Sequence, residues 1–271
     1  MTETVDHTLE LDELAAALEG AERTRRPIDQ LSAGRPWLGP VQAYGIQERL
    51  VAARISQGET LLGWKVGLTS AAMQQQLGVD QPDYGAILSD WVVADGSELP
   101  VDAFIAPRVE AEVCFRLARP LRGPGVTVAD VLAATESVSP ALEIIDSRIR
   151  DWKLTLVDTI ADMASSARIV VSEERVSPRD LDLRAVTVDM TRDGETVASG
   201  IGAACLGDPA AAVAWAANTL GALGVTLQAG HIVMPGALHA AAPVVAGSTF
   251  TATFVGLGSV SIRFSAPGDK A

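Results

Sequence analysis

The run Val109-Glu110-Ala111-Glu112-Val113-Cys114-Phe115 sets two acids into an otherwise apolar segment with a period of two. Successive side chains of a β-strand point to opposite faces. The spacing therefore predicts a strand with Glu110 and Glu112 on one face and Val109, Ala111, Val113 and Phe115 on the other. Further along the chain, Glu143 stands inside Ala141-Leu142-Glu143-Ile144-Ile145, where its same-face neighbours Ala141 and Ile145 are apolar. A charge on an apolar face needs a partner. Three carboxylates at contact distance would repel by about 4 kcal/mol per pair at an intermediate dielectric. A divalent cation removes that repulsion, and all-oxygen ligation suits Mg²⁺ or Mn²⁺ better than zinc. The Glu-x-Glu spacing by itself also describes the wet face of an ordinary sheet, so both readings stand at this level.

Composition narrows the classes. A chain of 271 residues suits one large domain, or a core with a smaller N-terminal domain. Its 48% hydrophobic and 20% charged content is that of an ordinary globular protein, and with aromatics at 4% the core must rest on Ala, Val, Leu and Ile. A net charge of −13 supplies no basic stripe for phosphates or for anionic membrane surfaces, so neither nucleic acid nor membrane is an expected partner. The first residues lack a basic region followed by an apolar one, and no apolar stretch reaches membrane-spanning length, so no signal peptide or span is expected. Cys114 and Cys205 stand apart in apolar or small-residue surroundings, which predicts buried free thiols and a cytoplasmic location.

The pattern along the chain predicts helices over 8–26 and 41–57, a short strand over 61–66, a helix over 71–77 and a turn at 81–85. From Asp90 onward strands dominate. Thr127 with Asp130 three residues on predicts an N-cap and a helix through about Glu136. Asp208-Pro209 predicts the opening of an alanine-rich helix. Residues 249–255 and 259–264 flank Gly256-Leu257-Gly258 as a hairpin. This divides the chain into a mainly helical region, 1–90, and a β-rich core, 91–271, that carries the acids.

Other residues are less telling alone. Lys65, in Gly63-Trp64-Lys65-Val66-Gly67, would have its pKa depressed by partial burial, yet a lone lysine commonly snorkels to the surface. Asp83 in Pro82-Asp83-Tyr84-Gly85 reads as a turn residue. Asp146, Arg148, Asp151, Lys153, Asp158 and Asp162 read mostly as solvated helix faces. His231 and His239 have no usual zinc spacing. Gly200-Ile201-Gly202 lacks the third glycine of a dinucleotide loop, and neither a nucleophile elbow nor a Walker loop is present.

Taken in order, the segments Gly63-Trp64-Lys65-Val66-Gly67-Leu68-Thr69, Gln81-Pro82-Asp83-Tyr84-Gly85, Pro107-Arg108-Val109-Glu110-Ala111-Glu112, Ala141–Asp146, Ile160–Ser166 and Gly256–Phe264 resemble the 2-keto-4-pentenoate hydratase group of the fumarylacetoacetate hydrolase superfamily. The resemblance runs from about residue 40 to 265. It implies an α+β fold, a mixed β-sheet roll with a smaller helical N-terminal part, assembled as a homo-oligomer. It implies Mg²⁺ or Mn²⁺ held by Glu110, Glu112 and Glu143, with Lys65 and Asp83 as catalytic residues and Leu68 and Ser165 lining the substrate pocket. The implied reaction adds water to a 2-hydroxy-2,4-dienoate in aromatic or steroid catabolism, with a downstream aldolase or a related decarboxylase as a possible complex partner. The nearest alternative is 4-oxalocrotonate decarboxylase. A non-catalytic partner subunit is a further one, although such a subunit should have lost the acids or Lys65. One departure is Met163, where the group usually has Asn, which puts the local hydrogen bonding in question.

Overall fold

A computed structural model describes residues 7–267. Helices α1 (Thr8–Thr24) and α2 (Pro40–Ser56) precede strand β1 (Leu61–Gly67), helix α3 (Ala71–Leu77) and strand β2 (Asp83–Leu88). Short strands β3 (Val92–Ala94) and β4 (Glu98–Pro100) lead to the long β5 (Arg108–Leu117). Helix α4 (Val128–Ala134), strand β6 (Thr135–Ile145), helix α5 (Leu156–Ala161) and strand β7 (Ser166–Val171) follow. The remainder is the hairpin β8 (Thr187–Arg192) and β9 (Glu195–Ile201), helix α6 (Pro209–Ala222), and strands β10 (Ile232–Met234), β11 (Ala242–Pro243), β12 (Thr249–Phe254) and β13 (Gly258–Ser265).

Two mixed sheets form. The larger runs β2-β1-β10-β5-β6-β7-β3 with β11 beside β5, and the smaller runs β4-β13-β12-β8-β9. The alternation in β5 works as its spacing requires: Val109, Ala111, Val113 and Phe115 join Leu142 and Ile144 of β6 in the main core. Phe250, Phe254, Ile262 and Phe264 of the smaller sheet and Val213 and Leu220 of α6 close that core from the other side. The opposite face of β5 and β6 carries the acids beside a small apolar cluster of Cys114, Ala141, Ile169 and Met234.

Local signals act where expected. Thr127 caps α4 reciprocally with Asp130, but the helix ends at Ala134 because the chain passes directly into β6. Asp208 accepts the Ala210 N–H at 2.8 Å and opens α6 with Pro209 in its first turn. Both cysteines are buried free thiols. The larger sheet includes β1 and β2, so residues 1–90 and 91–271 share a sheet rather than parting at residue 90. Alternation inside a short strand marks its faces but not which sheet receives it. The helical N-terminal part packs α1, α2 and α5 around Leu18, Ile46, Ile149 and Ile160. Among the described residues, no helix is long and apolar enough to cross a membrane.

Candidate active site

Antiparallel pairing of β5 with β6 sets Glu110 directly opposite Glu143, and Glu112 opposite Ala141. One carboxylate oxygen from each of Glu110, Glu112 and Glu143 lies within 4.8 Å of the others. Glu112 and Glu143 are buried. Glu112 Oε2 accepts the Gly236 N–H at 2.9 Å, whereas both Glu143 oxygens lack a hydrogen-bond partner. Buried carboxylate oxygens without hydrogen bonds call for positive charge close by. The all-oxygen donor set fits a hard divalent cation.

The electrostatics agree. Burial, then repulsion from Glu143, pushes the Glu110 carboxyl up to about 7 against the opposing pull of Lys65 and Arg108. Burial and the charges of Glu143 and Glu110 raise Glu112 well above the usual carboxylate range. Such groups bind protons tightly until a cation displaces them.

Lys65 projects from β1 onto the same face. It is buried, with Nζ 3.3 Å from Glu143 Oε1, and it donates to the Ala164 carbonyl at 2.9 Å. Burial pulls its pKa down, but Glu143, Asp83, Glu110 and Glu112 outweigh that and hold it above the ordinary lysine value. The depressed pKa expected from its apolar neighbours is therefore corrected: the deciding charges come from other strands. The surface-lysine alternative fails as well. Asp83 is likewise no turn residue. It opens β2 and is fully buried, accepts from Thr159 Oγ1 at 3.2 Å through Oδ2, and leaves Oδ1 unpartnered. Burial raises its carboxyl, with Lys65 opposing. Gly67 makes room for the pair, since a Cβ there would stand 2.2 Å from Asp83 Oδ1 and 3.4 Å from Lys65 Nζ.

These residues line one cavity of about 670 Å³, together with Leu68, Ser165 and His239. All seven residues expected at the site thus converge. Leu68 has φ 56°, and Met163, Ala164 and Ser165 form three successive left-handed residues with φ 57°, 50° and 54°. Each non-glycine residue in that region costs roughly 1 kcal/mol, so the surroundings must enforce it. Met163, at the position of the usual Asn, places its side chain in the main core.

Several residues were not legible beforehand. Asp146, Arg148, Asp158 and Asp162 are buried, not solvated, because each has internal partners. Asp146 accepts from the Ile105 and Ala106 N–H groups, and Asp158 caps α5 through Thr155 and also binds Ser32. Asp151 and Lys153 are exposed as expected. His239 accepts the Ala111 N–H through Nε2 at 3.3 Å while Nδ1 faces the Ala240 carbonyl, so its ring serves the strand edge. Arg108 stacks on Trp152 at 4.4 Å at the cavity wall.

The comparisons agree with this geometry. Residues 64–265 match the family described as fumarylacetoacetate (FAA) hydrolase C-terminal. A 2-hydroxyhexa-2,4-dienoate hydratase from Comamonas testosteroni is 41% identical over 247 residues, 90% of this chain and 94% of that protein. A 2-keto-4-pentenoate hydratase from Paraburkholderia phymatum is 43% identical over 255 residues, 94% of this chain and 97% of that protein. The solved 4-oxalocrotonate decarboxylase from Pseudomonas putida G7, complexed with magnesium and adipate, has a TM-score of 0.93 and 37% identity, covering 96% of this chain and 99% of that one. Paired acids on a curled mixed sheet, a buried lysine beside them and near full-length similarity together place this chain in the fumarylacetoacetate hydrolase family.

Proposed function

We propose that this protein is a divalent-metal-dependent hydratase that adds water to a 2-hydroxy-2,4-dienoate, giving a 4-hydroxy-2-oxo acid, in the breakdown of an aromatic or steroid ring. The observation that carries the reading is the Lys65 Nζ at 3.3 Å from Glu143, within a cavity that also exposes Glu110 and Glu112. Those three glutamates would hold Mg²⁺ or Mn²⁺. When bound, the cation supplies Lewis acidity toward the carboxylate and C2 oxygen of the substrate.

The chain's own groups move the protons. The reaction takes the enol proton and delivers one to C5, leaving an α,β-unsaturated ketone. Water then adds, hydroxyl to C4 and proton to C3. Lys65, buried in the cavity wall with Nζ beside Glu143 and the Ala164 carbonyl, delivers protons to carbon. Asp83, whose carboxyl burial shifts upward, accepts the proton released at each stage, first by the enol and then by water. Proton exchange with the solvent of the open cavity restores the Asp83 carboxylate and the Lys65 ammonium after each stage. Leu68 and Ser165 position the substrate from the cavity wall.

Decarboxylation of a 2-oxo-3-hexenedioate is the second reading, favoured by the similarity to the Pseudomonas putida decarboxylase. Hydratase relatives at 40–43% identity favour water addition. An assay of dienol absorbance with Mg²⁺ or Mn²⁺, run beside CO₂ release from 2-oxohex-3-enedioate, decides between them. Dienol loss without CO₂ supports the hydratase, and CO₂ release overturns it. A homo-oligomer that associates with a following aldolase or a related decarboxylase extends the same reading. The two free thiols suit a cytoplasmic location.

A further inference from the structure

The left-handed turn Met163-Ala164-Ser165 sits between α5 and β7, and something must keep three non-glycine residues in that conformation. The buried guanidinium of Arg148 spans it. One terminal nitrogen of Arg148 donates to the Asp162 carbonyl just before the turn, and the other donates to the Ser166 carbonyl just after it, at 2.9 Å. Nε donates to Asp162 Oδ1, while Asp162 Oδ2 accepts from Ser147 Oγ at 2.9 Å and from Ser165 Oγ at 3.2 Å. The Ser165 N–H closes the turn onto the Asp162 carbonyl at 2.8 Å. The turn in turn faces the reacting groups. Its Ala164 carbonyl accepts from Lys65 Nζ at 2.9 Å, and Ala164 and Ser165 line the cavity. Its Met163 carbonyl presses on β2, where a Cβ at Gly85 would stand only 2.7 Å away.

We propose that Arg148 and Asp162 are positioning residues: together they clamp the strained turn so that Ala164 orients Lys65 and Ser165 meets the substrate. This rests on the reading of Lys65 as the proton carrier. Neither residue lines the cavity as a reacting group, so their effect passes through the turn. Lysine cannot replace Arg148, because one ammonium has no planar fork to reach carbonyls on both sides of the turn.

The test compares Arg148→Lys, Asp162→Asn and Lys65→Met with the unaltered protein, measuring kcat, KM, Mn²⁺ affinity and melting temperature on the dienoate. Arg148→Lys is expected to lose kcat by about tenfold or more with KM and Mn²⁺ affinity within about threefold, since small misplacements act on turnover. Adding Ala164→Gly to Arg148→Lys should recover part of that loss, because glycine adopts the left-handed region without strain. A folded Arg148→Lys protein with unaltered kcat overturns the proposal. So does a loss that Ala164→Gly leaves untouched and that Mn²⁺ affinity follows. If Arg148→Lys does not fold, Asp162→Asn with and without Ala164→Gly carries the same comparison. Failure of every variant to fold makes the pair a folding element and also overturns it. Turnover surviving in Lys65→Met would instead sink the reading of Lys65, whatever Arg148→Lys does.

Discussion

Glu110 on β5 and Glu143 on β6 are direct cross-strand partners, with Glu112 one pleat further along the same face. Like charges placed opposite one another weaken a sheet, and here the pair is kept beside a buried third acid. The arrangement is unfavourable for the strands alone; Lys65 offsets part of it at Glu143, and a bound cation would offset the rest.

Relieving that repulsion should stabilise the metal-free protein. Glu112→Gln keeps an acceptor for the Gly236 N–H and removes one charge. The metal-free variant should gain about 1 kcal/mol over the metal-free parent where the pH is high enough for Glu112 of the parent to ionise, and little where that carboxyl keeps its proton. The parent should gain about 2.7 kcal/mol from metal at a hundredfold excess over Kd, and the variant little. Thermal unfolding with and without Mn²⁺ reads both effects.

Metal affinity should depend on pH in a defined direction. The Glu110 carboxyl, at about 7 without the cation, must lose its proton to bind it. Below pH 7 a proton therefore competes and affinity falls by about tenfold per unit for each proton displaced. Glu112, also raised by burial and by the charges of Glu143 and Glu110, adds to the same pH dependence. Calorimetry in buffers of different ionisation enthalpy should detect proton release, and a flat profile would contradict the account.

Lys65→Met should reduce turnover by about 10²–10⁴-fold, the range of a lost general acid or base. Mn²⁺ binding should persist, because the three carboxylates are untouched. Steady-state assay and metal titration on the same preparation separate the two.

Gly67→Ala would drive a methyl group to 2.2 Å from Asp83 Oδ1. The carboxyl must shift from its place on the cavity wall, so kcat should fall by about tenfold or more while Mn²⁺ affinity holds. Equal activity in this variant would remove Asp83 from the proton path.

Much of this was legible from residue spacing. The period of two in β5 assigns Glu110 and Glu112 to one face and Val109, Ala111, Val113 and Phe115 to the core, as found. Register was not legible, because alternation specifies a face without specifying that Glu110 meets Glu143. The upward direction of the Lys65 pKa was hidden for the same reason: its local sequence shows burial but not acids delivered by β2, β5 and β6. Arg148 and Asp162 looked solvated because a charge-rich stretch between apolar runs resembles an exposed helix. Their partners are each other, together with backbone carbonyls and hydroxyls that no pattern marks. The His239 contact depends on the 236–241 segment passing over β5, a tertiary event without a local signal.

The most direct test of the three-glutamate centre is a titration of Mn²⁺ into metal-stripped protein, followed by electron paramagnetic resonance of the free ion. One Mn²⁺ should bind tightly per chain, with binding weakened in Glu110→Gln, Glu112→Gln and Glu143→Gln alike. Binding that is absent, or that survives all three substitutions unchanged, would contradict a three-glutamate centre.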